Sequence, residues 1–146
     1  MSQLLQNSRI GFLIHTPEML NHYKSVITHL ESHEVCIITY GIEPETISSA
    51  LGESKCLVMS HEDVLKIGFK FPVLVSNHPI DWSRGSLIKR LGYLNVRFMY
   101  AGGKLGWNLS DWNSLYDLIL CFGPYHQRLF EERFDVPVIQ MGYPRF

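Results

Sequence analysis

Seven short apolar runs, separated by segments of helical period, constrain this sequence more than any other feature. They fall at 9–15, 35–40, 55–59, 73–77, 96–100, 117–122 and 136–141. Stretches such as Gly11-Phe12-Leu13-Ile14 and Val35-Cys36-Ile37-Ile38 do not alternate with polar residues, so a strand made of them is buried on both faces. Strands of that kind belong to parallel sheets whose crossover helices cover both sides.

The intervening segments carry helix signals. Thr16 offers an N-cap with Pro17 at the first helical position, and Met19, Leu20, Tyr23, Ile27 and Leu30 recur at three- and four-residue spacing. Pro44 to Leu51 forms the next helix, with Ile47, Ala50 and Leu51 on one side and Gly52 at its end. Ser60 and Asp63 have capping-box spacing ahead of Val64, Leu65 and Ile67, and Gly68 stops that helix. Residues 86–90 form a helix ending at Gly92, and Pro124 opens one whose Leu129, Phe130 and Phe134 face the sheet. The expected fold is α/β: one doubly wound, mostly parallel Rossmann-like sheet of about seven strands over 1–146, helices on both faces.

The composition suits such a core. Of 146 residues, 46% are hydrophobic and 18% charged, and 13 Lys plus Arg against 14 Asp plus Glu leave a formal charge of −1. That balance argues against nucleic acid as a partner. Cys36, Cys56 and Cys121 are widely spaced within or beside apolar runs and read as buried strand thiols in a reducing compartment. No signal peptide and no run long enough to span a bilayer is evident, so a cytoplasmic location is expected.

Ligands of doubly wound sheets bind beyond the carboxyl ends of the strands. The residues there include His15, Gly41, Ser60-His61-Glu62, Asn77-His78, Tyr100-Ala101-Gly102-Gly103-Lys104, Gly123-Pro124-Tyr125 and Gly142-Tyr143-Pro144-Arg145. His15, His61 and His78 have no metal-motif spacing, and neither a metal nor a cofactor is expected. His22, His29, His33 and His126 read as solvated or helix-end residues. The Gly102-Gly103-Lys104-Leu105-Gly106 segment fails the Walker pattern, since Leu105 follows Lys104, and it does not follow the first strand as a dinucleotide fingerprint must. It remains either a turn with a solvated lysine or a close backbone approach to a ligand with Lys104 meeting an anion. Trp82, Trp107 and Trp112 flank the fifth run and read as core or interface residues, or as a stacking surface.

The Asp117-to-Tyr125 segment, the helix ending at Phe134 and the Val138-to-Arg145 segment with its Gly-Tyr-Pro-Arg element resemble the end of the N-terminal half of a two-domain GT-B transferase. The closest resemblance is to the CDP-glycerol glycerophosphotransferase family of teichoic-acid and capsule synthesis. UDP-N-acetylglucosamine 2-epimerases share the layout. The resemblance implies an acceptor-side domain of a nucleotide-activated glycosyl- or glycerophosphotransferase, inactive by itself, with a C-terminal nucleotide-binding domain as its missing partner. A small-molecule or polymer acceptor is implied, with a peripheral position at the inner membrane face as an option for the full enzyme and weak self-association of the uncovered face. Where the family carries His-Gly after the fifth strand this chain has Ala101-Gly102, so His78 and Lys104 become the catalytic candidates. His15, Asn77, Gly102, Gly103, Tyr125 and Arg145 become the substrate-binding ones. Non-catalytic flavodoxin-like binding and an epimerase half are the alternatives.

Overall fold

A computed structural model describes residues 2–52, 56–81, 86–99 and 105–142 of the chain. The seven expected strands form: β1 Ile10–Ile14, β2 Val35–Thr39, β3 Leu57–Ser60, β4 Phe71–Ser76, β5 Gly92–Phe98, β6 Leu118–Cys121 and β7 Val138–Gln140. Their order across the sheet is β3-β2-β1-β4-β5-β6-β7, with every neighbouring pair parallel. This is a Rossmann-like doubly wound sheet. Chain order reverses between β1 and β4, which opens a switch point there.

Each strand divides its side chains between two cores. Leu13, Cys36, Ile38, Leu74, Ile119 and Cys121 pack with Val64 of α4 (His61–Ile67), Leu87, Ile88 and Leu91 of α5 (Leu87–Leu91) and, past the short α6 (Leu105–Asn108), Phe130 of α7 (Pro124–Arg133). A short N-terminal helix, α1 (Ser2–Gln6), which no helix signal marks in the sequence, adds the fully buried Leu5 to this core. Phe12, Ile14, Ile37, Val75, Val96 and Phe98 pack on the opposite face with Met19, Leu20, Tyr23 and Ile27 of α2 (Met19–Ile27) and Ile47 of α3 (Pro44–Leu51). On that second face β5 to β7 are less covered, and Leu94 and Ile139 are 44% and 53% exposed.

Several local expectations are corrected. Thr16 is not an N-cap: α2 starts at Met19 after a tight turn in which the Met19 and Leu20 amides donate to the Thr16 and Pro17 carbonyls, with Glu18 at the cap position. Ala50 and Ile67 are exposed rather than core-facing. His22 is only 6% exposed, because it lies on the inner side of α2 instead of in solvent. Gly92 ends α5 and also begins β5, four residues earlier than the apolar run implied. A Cβ at Gly92 would collide with the Cβ of Leu74 on β4, so only glycine admits this abutment. The Ser60 cap holds as expected, its Oγ accepting from the Asp63 amide at 3.1 Å. Among the described residues no helix is long and apolar enough to cross a membrane.

Candidate functional site

The reversal between β1 and β4 brings His15 and His78 together, although 62 residues of chain intervene. Both follow the carboxyl ends of their strands, and their ring centroids are 6.4 Å apart. With Tyr40, Gly41 and Ile80 they line a cavity of about 400 Å³.

His78 is held from three sides. Its ring stacks on Trp107 at 5.5 Å and 13°, and meets the edge of the buried Trp112 at 4.9 Å. Its Nδ1 accepts the Ile80 amide at 3.0 Å, which leaves the proton of the neutral ring on Nε2. Ile80 adopts φ +68°, a left-handed conformation that a β-branched residue enters only at a cost of roughly 1–3 kcal/mol. Strain therefore sits at the turn that fixes the imidazole.

Burial lowers the His78 pKa to about 4, and His15 and the Arg97 guanidinium push in the same direction. Burial also lowers that of His15. Both rings are neutral at pH 7, so His78 is a hydrogen-bond donor through Nε2 rather than a cation. His15 Nδ1 is buried with no hydrogen-bond partner among the described residues, while its backbone amide approaches the Met19 sulfur at 3.4 Å.

Because the folded protein holds these rings neutral, it binds fewer protons than the unfolded chain once pH falls below about 6.5, the ordinary histidine value. Their contribution to stability is complete above that pH and is lost as pH falls below it, for His78 down to about 4. Urea denaturation of wild type and His78→Gln from pH 7.5 to 4.5 should show a shallower acid slope in the variant. Parallel slopes would mean that His78 titrates normally.

Beneath the site lies Arg97 of β5, fully buried and in no ion pair with a carboxylate among the described residues. Its Nε donates to the Asn77 carbonyl at 3.2 Å, one terminal nitrogen to the Asn108 carbonyl and Asn113 Oδ1 at 3.0 and 2.9 Å, and the other to Asn108 Oδ1 at 2.7 Å. The guanidinium lies 4.6 Å from the Trp112 ring and 5.5 Å from that of Trp107, the rings that contact His78. Desolvation lowers its pKa to about 10, so it stays charged. Beside it, Ser76 and Tyr116 share a buried 2.7 Å hydroxyl hydrogen bond.

No protein family, curated protein or solved structure matches this chain.

The sequence candidates divide as follows. His15 and His78 meet in one cavity. Asn77 is 5% exposed beside them, its carbonyl engaged by Arg97 and its Oδ1 without a partner among the described residues. Tyr125 is not brought to that cavity: it stands 54% exposed on the opening turn of α7, beyond β6, with its ring against His126. Lys104, Gly102, Gly103 and Arg145 lie outside the described residues. Among the described residues no group of three His, Cys, Asp or Glu side chains is placed to hold a metal ion. The sequence reading missed Tyr40, Ile80 and above all Arg97. Its signal was available: one arginine inside the apolar run Val96-Arg97-Phe98-Met99.

Proposed function

We propose that this chain is the acceptor-side half of a nucleotide-activated glycosyl- or glycerophosphotransferase, with the nucleotide held by a second domain. The observation that carries the reading is the pairing of His15 and His78 across the switch point of a doubly wound sheet. Ligands of such folds lie there, and an aromatic wall beside neutral donors and acceptors suits a hydroxyl-bearing acceptor.

The geometry distributes roles differently from the sequence alone. His78, with Nδ1 committed to Ile80, orients the acceptor by donating from Nε2. His15, the other imidazole lining the cavity, takes the proton of the attacking hydroxyl. The acceptor oxygen then bonds to the activated phosphate or anomeric carbon of a donor brought by the second domain, and the bond from that centre to the nucleotide breaks, releasing a nucleoside mono- or diphosphate. A binding domain without chemistry is the second reading. It is favoured by one observation, that burial lowers the pKa of His15, the proposed base, as well as that of His78, away from the range of an efficient general base.

Sugar and polyol acceptors should perturb the His15 and His78 resonances at millimolar concentration, and His78→Gln should weaken that binding by about tenfold, the loss of one good hydrogen bond. Calorimetry with CDP-glycerol and UDP-sugars should give no micromolar binding to this chain, since one wall of a two-domain cleft buries too little of the donor. Micromolar nucleotide binding, or unperturbed histidines, would overturn the half-enzyme reading.

A further inference from the structure

The chain leaves β4 through a turn centred on Ile80. The Asp81 amide donates to the Pro79 carbonyl at 2.8 Å, and φ at Ile80 is +68°, the pattern of the rarer, strained γ-turn. A β-branched side chain is among the worst occupants of such a conformation. Elsewhere the described chain meets a positive φ with Gly41, Gly52, Gly68 and Gly142, and otherwise only with Ser86. Ile80 thus carries a strain that glycine would not.

The turn is pinned on both sides. The Asn77 carbonyl accepts from Arg97 Nε at 3.2 Å, and the Asp81 carbonyl accepts at 3.1 Å from the amide of Leu87, the first residue of α5. Between them Pro79 is buried, and its ring confines His78 before it to extended backbone. Strained conformations persist where the surroundings over-determine them in this way, and they gather at functional sites.

Two things are secured by the strain. The Ile80 amide donates to His78 Nδ1 at 3.0 Å, and the Ile80 side chain lines the cavity that His15 and His78 share while packing against the core under α4, α5 and α7. Trp107 and Trp112 fix the plane of the His78 ring, but carbon faces and edges do not choose between its nitrogens. The Ile80 amide does choose. A proton on Nδ1 would set N–H against N–H, so this one bond selects the Nε2–H tautomer and disfavours the cation.

We propose that Ile80 is a positioning residue for His78: its strained turn makes the imidazole a hydrogen-bond donor through Nε2, and its side chain walls the cavity, so that the site takes an oxygen ligand that accepts a hydrogen bond and refuses one that can only donate. As a statement about the substrate of transfer this rests on the transferase reading above. The tautomer belongs to the free protein and stands apart from it.

Nitrogen-15 NMR of the histidine rings at pH 7 reads the tautomer with nothing bound, and His78 should be in the Nε2–H form. Replacing Ile80 by its α-hydroxy acid, which puts an ester oxygen in place of the N–H, should shift the tautomer ratio about tenfold towards Nδ1–H, the loss of one good hydrogen bond. Ile80→Gly keeps the amide and should keep the tautomer. Tetrahydropyran, a ring ether that only accepts, should move the His78 Nε2–H resonance, whereas piperidinium, a ring of the same shape that only donates, should leave it unmoved. Ile80→Gly should weaken the ether at least about threefold through the lost wall, a split between tautomer and binding that a merely structural isoleucine would not produce. An Nδ1–H tautomer in the wild type, an unchanged ratio in the ester variant, silence towards the ether at roughly 100 mM, or an equal response to piperidinium would each overturn the proposal. Failure of the transferase reading would appear separately, as histidines indifferent to sugars and polyols beside a His78 that holds one tautomer and responds to the ether.

Discussion

Replacing Arg97 by methionine should lower the free energy of unfolding by roughly 3–5 kcal/mol, the largest single-residue effect expected in this chain. The side chain is fully buried, and its four hydrogen bonds satisfy the carbonyls of Asn77 and Asn108 and the amide oxygens of Asn108 and Asn113. Methionine fills much of the volume but leaves all four acceptors without that donor. Arg97→Lys should fare little better, because one ammonium cannot span a fork that reaches Asn77 just past β4 and Asn108 and Asn113 together. Arg97→Met should also raise the His78 pKa, since the guanidinium is one of the charges holding it down. Urea titration and histidine NMR read the two effects separately. Wild-type stability in Arg97→Met would mean that holding an uncompensated charge costs as much as the four hydrogen bonds return.

Gly92→Ala should cost roughly 2–3 kcal/mol, through the overpacking that follows when a methyl is forced into a filled space. The added carbon would fall on the Cβ of Leu74, which lies too close to its backbone to swing away. Gly11→Ala makes an instructive control. Its nearest neighbour is the terminal Cδ1 of Ile38 at 2.6 Å, the far end of a side chain that can rotate, although Phe71 and Leu74 crowd the same spot at 3.0 and 3.1 Å. Thermal unfolding should therefore rank Gly92→Ala below Gly11→Ala. The reverse order would place the tighter contact in β1.

The strands were legible because burial on both faces leaves an unbroken apolar run, and such runs give strand positions to within a few residues. The helix ends were less so. Thr16 has the residue type of a cap, but the chain makes a further turn before α2, which residue type alone does not encode. Gly92 is the helix stop that it looked like, but the tight approach of β4 also makes it the first residue of β5, which no glycine rule announces. At the site, His15 and His78 were recoverable from the rule that strand ends carry function. Their meeting depended on strand order, which periodicity does not encode. Arg97 was overlooked because strand patterning treats one charge in an apolar run as noise. Its partners Asn77, Asn108 and Asn113 are distributed over three separate segments, so no local spacing could announce them.

The switch point also governs how the sheet holds together in time. β1 matches β2 over five register positions but β4 over only three, Ile10 to Val73, Gly11 to Leu74 and Phe12 to Val75. The strands on either side of that seam are separated along the chain by α2, β2, α3, β3 and α4. Units made of neighbouring segments close their loops cheaply, while the seam must wait for both. The join between β1 and β4 therefore spans the longest chain separation of any neighbouring pair in the sheet and is expected to form last. The cavity lined by His15 and His78 lies across this join, so a molecule seated there would touch strands from both sides and stabilise their pairing by mass action.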